Sequence, residues 1–310
     1  MQPGISRDPK AWLQVFIDTV QALSLLGAVS LFGYGHLVGL AGGRKWLIMV
    51  LVVVLLLLAC WRRGGVGGWL TMMLGVWAFL EVRAVCDDLG MPVHTTDLRE
   101  IERLLFFGAV PTKALQDAFF LPDKLRALDY LAVAIHWSYF FAAYLALFFV
   151  WLLKPRSVDR PARLFSLTFL AGLVIYALLP ATPPWLASLE PGAPQVYRIV
   201  RFVGTSLDAQ TYERVYASIG DPNPIAALPS VHFAITFMLF LYSLRGPRPL
   251  RTLAGIYCIG MAWALVYLGE HYVVDLLLGG LVAWAVWFGY RKLEAQPTVG
   301  SGQVGPSGGF

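Results

Sequence analysis

Ala227-Leu-Pro-Ser-Val-His-Phe233 opens an apolar run that continues to Leu244. Pro229 and Ser230 read as a helix start, with Ser230 as the cap and helix from Val231 onward. His232 then falls in the first turn, where backbone N–H groups lack intrahelical partners and the helix dipole favours an anion. Further along, Gly269-Glu-His-Tyr-Val-Val-Asp275 opens a second apolar run. His271 and Asp275 are four apart, so on a helix they share one face. A carboxylate beside an imidazole fixes its tautomer and raises its basicity. Each polar signature stands at the mouth of an apolar run, and the apolar runs carry the fold.

Of 310 residues, 58% are hydrophobic and 14% charged. A soluble protein carries about a quarter charged. The composition is that of an all-α polytopic membrane protein. The net charge of +5 is modest and is no argument for nucleic-acid binding. Cys60, Cys86 and Cys258 fall in separate segments without metal-like spacing, so neither a zinc site nor a disulfide framework follows. The first apolar run lacks a small-residue cleavage site and reads as a retained helix.

Eight spans are expected, at about 18–40, 46–61, 69–85, 128–153, 164–179, 230–244, from about 251, and 272–290. Residues 86–127 do not span. They hold two short interfacial or re-entrant helices, one with Asp97 and Glu100 at capping spacing, the other opened by Pro111-Thr112. Residues 186–229 read as a long polar segment. The chain divides into 1–67, two N-terminal membrane helices; 68–292, a catalytic membrane domain; and 293–310, a Gly-, Ser- and Pro-rich tail expected to be disordered. The connections 61–68, 154–163 and 245–251 carry Arg62, Arg63, Lys154, Arg156, Arg160, Arg163, Arg245, Arg248 and Arg251 against one acid, Asp159. The positive-inside rule puts that side and both termini in the cytoplasm, and both signatures on the outer face.

The run Ser230 to Leu244 rises only about 22 Å, short of a hydrocarbon core of about 30 Å. His232 is therefore expected at headgroup depth, within reach of a lipid phosphate. In that setting His271, oriented by Asp275, is the expected nucleophile toward phosphorus. His232 is the expected acid and base, protonating the leaving group and deprotonating the acceptor. No metal or other cofactor is called for if cations and N–H groups stabilise the phosphoryl oxygens. Arg198, Arg201 and Lys113 are the candidate cations. Ser230, Glu270 and Tyr272, which flank the histidines, and His136, in the outer half of the fourth span, complete the substrate-binding candidates.

Blander readings stand beside these. A lone histidine at a span end is ordinarily an interfacial residue, and His36 and His94 are taken as structural. Glu81 and Arg83 read as a neutralising pair. Most basic residues on the inner side are topology determinants. It is the coincidence of two histidine signatures on one expected face that lifts them above this background.

Pro229-Ser-x-His232 and His271-x-x-x-Asp275 resemble the second and third signature blocks of the type 2 phosphatidic acid phosphatase superfamily. Asn223-Pro-x-Ala-Ala-Leu-Pro-Ser-Val-His232, Val266-Tyr-Leu-Gly-Glu-His-Tyr-Val-Val-Asp275, Leu179-Pro-Ala-Thr-Pro-Pro-Trp185 and Pro111-Thr-Lys-Ala-Leu-Gln116 resemble its inositol phosphorylceramide synthase-like branch. The resemblance covers roughly residues 100–290. It implies a six-helix catalytic bundle made of the last six spans and a phosphohistidine formed on His271. It departs where the superfamily has a Ser-Arg pair shortly before the third-block histidine, for Ala264 and Leu265 stand there, and no first block is evident. Arg198 is the first choice for the missing cation.

The function expected is a lipid phosphotransferase or phosphatase working on a membrane lipid, with lipid, alcohol or water as acceptor. A simple lipid or prenyl phosphate phosphatase is the alternative, since it shares the first half-reaction. A non-catalytic lipid-binding or flipping protein is the alternative of another class, and the complete His/His/Asp set argues against it.

Overall fold

The computed structural model describes residues 9–37, 43–60, 63–84, 89–215 and 223–295. Residues 1–8 and most of the expected tail lie outside them. The first three apolar runs form α1 (Pro9–Leu37), α2 (Gly43–Cys60) and α3 (Val66–Arg83). Two short helices follow, α4 (Asp97–Leu105) and α5 (Pro111–Phe119), and then α6 (Ala127–Leu153) and α7 (Asp159–Leu178). A single turn, α8 (Pro184–Ala187), leads to α9 (Ile199–Val215), and α10 (Val231–Ser243), α11 (Arg248–Tyr267) and α12 (Val273–Ala295) complete the bundle. The protein is thus an all-helical polytopic membrane protein, with a long helix on each of the eight expected apolar segments. Among the described residues, length and apolarity alone suffice for a span in three of them, Pro155–Leu178, Arg248–Tyr267 and Val273–Ala295. The halves of α6 reach that standard together and are bent by 55°.

α10 is the hub. It packs against α6, α7, α11 and α12, while α3 lies along α7 and α1 along α2. Val231, Ala234, Ile235, Met238 and Leu241 are its buried apolar side chains. Its N-terminus is gripped through two glycines: a Cβ on Gly172 of α7 would come within 2.5 Å of Val231, and one on Gly279 of α12 within 2.4 Å of the Ser230 carbonyl. Small residues permit such close approach where lipid offers no hydrophobic drive to association.

The two ends of the bundle differ. At one end Trp151 Nε1 donates to the Gly64 carbonyl at 3.1 Å, Arg160 meets Glu294 at 2.5 Å and the Arg245 guanidinium sits 5.0 Å from the Trp287 ring centre. The basic connections therefore gather together, as the alternation of spans requires. At the other end three extended segments lie side by side: the Ala181 N–H donates to Ile225, the Ala227 N–H to Ala181 and the Thr182 N–H to His94. This ties the loop that leads into Ser230 to the end of α7.

Four expectations are corrected. The polar stretch 186–229 contains the 17-residue helix α9, interrupted at Asp208, whose φ of −161° and ψ of 103° are extended. Asp208 Oδ1 accepts from the N–H groups of Gln210 and Thr211, so the residue caps a second helical piece. The Thr211 hydroxyl and N–H hold its carboxyl below the ordinary carboxylate value. The chain's mostly polar face there hides the helix, which buries only a stripe including Ile199, Val200 and Val203. Asp97 and Glu100 are no capping box: Thr96 stands at the cap position without a side-chain bond, Asp97 binds His94 at 2.5 Å and Glu100 pairs with Arg99 and Arg103. α12 continues to Ala295, so residues 293–295 are helical. Finally, α12 begins at Val273, which leaves His271 outside the helix that carries Asp275.

Candidate active site

The Ser230 side chain accepts from the Phe233 N–H at 3.3 Å, which makes the expected cap, and the Ser230 N–H donates to the Asp275 carbonyl at 2.9 Å. The two signatures are thereby bound to each other through the backbone. Nδ1 of His232 lies 3.3 Å from Nε2 of His271, and Nδ1 of His271 lies 3.3 Å from Oδ2 of Asp275. His271 precedes α12 on a turn in which Gly269 has φ of 80°, and Asp275 reaches back to it from the first helical turn. A Cβ on Gly269 would meet the Tyr197 carbonyl at 2.6 Å, so both conformation and space require glycine. Asp275 Oδ2 also accepts from the Tyr272 N–H at 2.8 Å.

A cavity of about 550 Å³ runs from this corner. One part of its lining is polar: Arg83, His136, Arg198, Asn223 and Glu270, together with His232 and His271. Another is apolar, drawn from Val29 and Phe32 of α1, Met72, Val76 and Phe79 of α3, and Phe169 of α7. This size and mixture fit an organic ligand with one polar end.

The structure brings His232, His271 and Asp275 together, with His136, Arg198 and Glu270 around them. Arg198 Nε binds Glu270 at 3.0 Å, and its guanidinium lies 4.1 Å from the Trp185 ring centre. The loop carrying Arg198 is clipped in place by Gln116, whose amide donates to the Tyr197 and Tyr267 carbonyls at 2.8 and 2.9 Å and accepts from the Tyr197 N–H at 2.8 Å. The ring of His136 is 4.9 Å from that of His232, and both its ring nitrogens are buried without a hydrogen-bond partner among the described residues.

Four candidates stand elsewhere. Lys113 pairs with Asp117 one turn along α5, because Thr112 and Gln116 take the inward face of that helix. Arg201, three residues beyond Arg198, is exposed and bridges to Glu213 at 3.5 Å. Ser230 is buried as a cap and does not line the cavity. The Tyr272 ring packs with Leu98, Ala181 and Leu228, away from the cavity lining. Sequence reasoning in turn passed over Arg83, which lines the cavity and donates to the Asn223 carbonyl at 3.4 Å while Asn223 donates back to the Arg83 carbonyl at 3.0 Å. Its signal was present: a guanidinium in the last turn of an apolar helix marks a functional position by default.

An apolar helical bundle that sets two histidines and a carboxylate at the polar end of a lipid-sized cavity defines a class, the membrane phosphoryl-transfer proteins. The PAP2 superfamily profile matches residues 96–290, and the chain belongs to that superfamily. Among its curated relatives, the catalytic subunit aur1 of inositol phosphorylceramide synthase of Schizosaccharomyces pombe is 25% identical over 237 residues, 74% of this chain and 54% of the relative. Phosphoinositol dihydroceramide synthase of Bacteroides thetaiotaomicron is 28% identical over 156 residues, 46% of this chain and 49% of the relative. The chain spans about half the length of these two relatives. No solved structure matches it.

Proposed function

We propose that this chain is a lipid phosphotransferase that moves a phospho-headgroup from a phospholipid to an alcohol through a phosphohistidine. The observation that carries the reading is the contact series His232–His271–Asp275, whose two histidines line the same cavity as Arg83 and Arg198. Asp275 holds the proton on Nδ1 of His271, which leaves the Nε2 lone pair for phosphorus. The N–P bond forms as the bond from phosphorus to the lipid oxygen breaks, and His232 supplies the proton that the departing alcohol takes. His232, now neutral, takes the proton of the acceptor hydroxyl. The acceptor oxygen then bonds to phosphorus, the N–P bond breaks and His271 is restored. Arg198 and Arg83 balance the charge on the phosphoryl oxygens without a metal. His136, with two ring nitrogens to offer, binds the phosphoryl group or the acceptor hydroxyl. The lipid tail lies along the apolar lining. The site faces outward, by the distribution of basic residues.

The names of the relatives suggest the first substrates to try: a phosphoinositol donor lipid and a ceramide-type acceptor. Full-length protein in phosphatidylinositol vesicles with fluorescent ceramide should yield a phosphorylated ceramide product, and His271→Ala should yield none while keeping its melting temperature. Release of water-soluble inositol phosphate alone, whatever alcohol is added, would make water the acceptor and the protein a hydrolase. An active His271→Ala variant would remove the mechanism. Absence of turnover in the wild type across lipid phosphates would revive a non-catalytic lipid-binding role.

A further inference from the structure

Glu102 is a wholly buried acid that the phosphoryl-transfer steps do not use. It lies on α4, a short surface helix that turns Leu98 and Glu102 inward and leaves Leu104 and Leu105 exposed. Its Oε1 accepts the N–H of Val273, 171 residues away in sequence. Val273 is the first residue of α12 and stands two residues after His271.

The first N–H groups of a helix need acceptors from outside it. At α12 two carboxylates share this role, for Asp275 takes the Tyr272 N–H and Glu102 takes that of Val273. The oxygen of Asp275 that takes the Tyr272 N–H is the one that faces Nδ1 of His271. The other oxygen of Asp275, Oδ1, is buried and has no hydrogen-bond partner among the described residues, so without Glu102 the Val273 N–H would turn to the Asp275 carboxylate and draw it from His271. Burial pushes the Glu102 carboxyl up to about 7, against the Val273 and Val274 N–H groups that lower it, and the nearby Asp275 raises it further. An acid kept at such a site is not there for packing, which an apolar side chain would serve better.

We propose that Glu102 is a positioning residue: as a cap supplied from α4 to α12, it reserves Asp275 for His271. This rests on His271 being the nucleophile. Glu102→Asp keeps the charge but shortens the reach, and Glu102→Gln keeps the reach but not the charge. Two readouts are needed on the full-length protein. The first is the ¹⁵N shift of the His271 ring in micelles, which reports the proton on Nδ1 and needs no substrate. Glu102→Asp should shift it toward a mixture of tautomers, and Glu102→Gln should leave it near wild type. The second is turnover of phosphatidylinositol and fluorescent ceramide. Glu102→Asp should lower kcat by about 100-fold with little change in KM, as expected for a small misplacement of a reacting group, and Glu102→Gln should stay within about threefold of wild type. An unchanged His271 spectrum in Glu102→Asp overturns the proposal, as does a loss in Glu102→Gln as deep as in Glu102→Asp. So does a lower melting temperature in Glu102→Asp with kcat retained. If His271→Ala is active, or the wild type turns nothing over, the functional reading fails instead, and the spectrum alone still decides the role of Glu102.

Discussion

One oxygen of Asp275 does two things: it caps α12 through the Tyr272 N–H and faces Nδ1 of His271. The start of α12 and the orientation of the His271 ring thus depend on one oxygen, although His271 is not helical. The cations separate by the same close reading. Arg83 and Arg198 line the cavity, whereas Arg201 and Lys113 pair with carboxylates on outward faces. A hydrogen bond to a charged group contributes about 1.5–3 kcal/mol. Arg83→Gln should therefore lower kcat/KM by about 10- to 100-fold, and Arg201→Gln should leave it within about twofold of wild type. Equal losses in the two variants would refute this division.

Among the elements, α10 matters most, because its N-terminus must meet α7, α12 and the turn before α12 at once. Gly279 is where that demand is sharpest. A Cβ there would lie 2.4 Å from the carbonyl of Ser230, the residue that caps the helix bearing His232. Gly279→Ala should cost about 1–3 kcal/mol by overpacking and reduce turnover by pushing the signatures apart. Gly289, on the same helix, is the control, since a Cβ added there would meet nothing within 4 Å. Alanine at that position should leave activity intact and raise stability by about 0.5–1 kcal/mol. Thermal melts and lipid turnover of the two variants check both statements, and a harmless Gly279→Ala would show that α10 and α12 can part without harm.

At the scale of the whole molecule, alternating spans place the basic connections at one end of the bundle and the histidines at the other. The proposed outward-facing site follows from the positive-inside rule. With the native cysteines replaced, a single cysteine at Leu189, which is exposed beside α8, should react with an impermeant maleimide added to intact cells. One at Arg160 should react only after permeabilisation. The reverse pattern would turn the active site to the cytoplasm, and reaction of both from one side would break the alternation of spans.

Apolar runs, a capping serine and the two histidine signatures were enough to read the all-helical membrane fold, the helix starting at Val231 and the residues of the contact series. These are local properties: hydrophobic periodicity, turn chemistry and spacing along the chain. Helix α9 escaped because its mostly polar surface and its break at Asp208 look like loop. Sorting the cations needed more than sequence, although Arg198 was the first choice and the place of Arg83 in an apolar helix carried a signal. Whether Arg83, Arg198, Arg201 or Lys113 meets the histidines depends on which face of a helix packs inward and on a clip such as Gln116, which joins parts of the chain far apart in sequence. Glu102 belongs with them, since nothing in the vicinity of Glu102 in the sequence points to Val273. Local pattern determined the elements and the chemistry they carry; tertiary packing decided which charges share a cavity, because that choice is made by contacts between helices and leaves no mark on either helix alone.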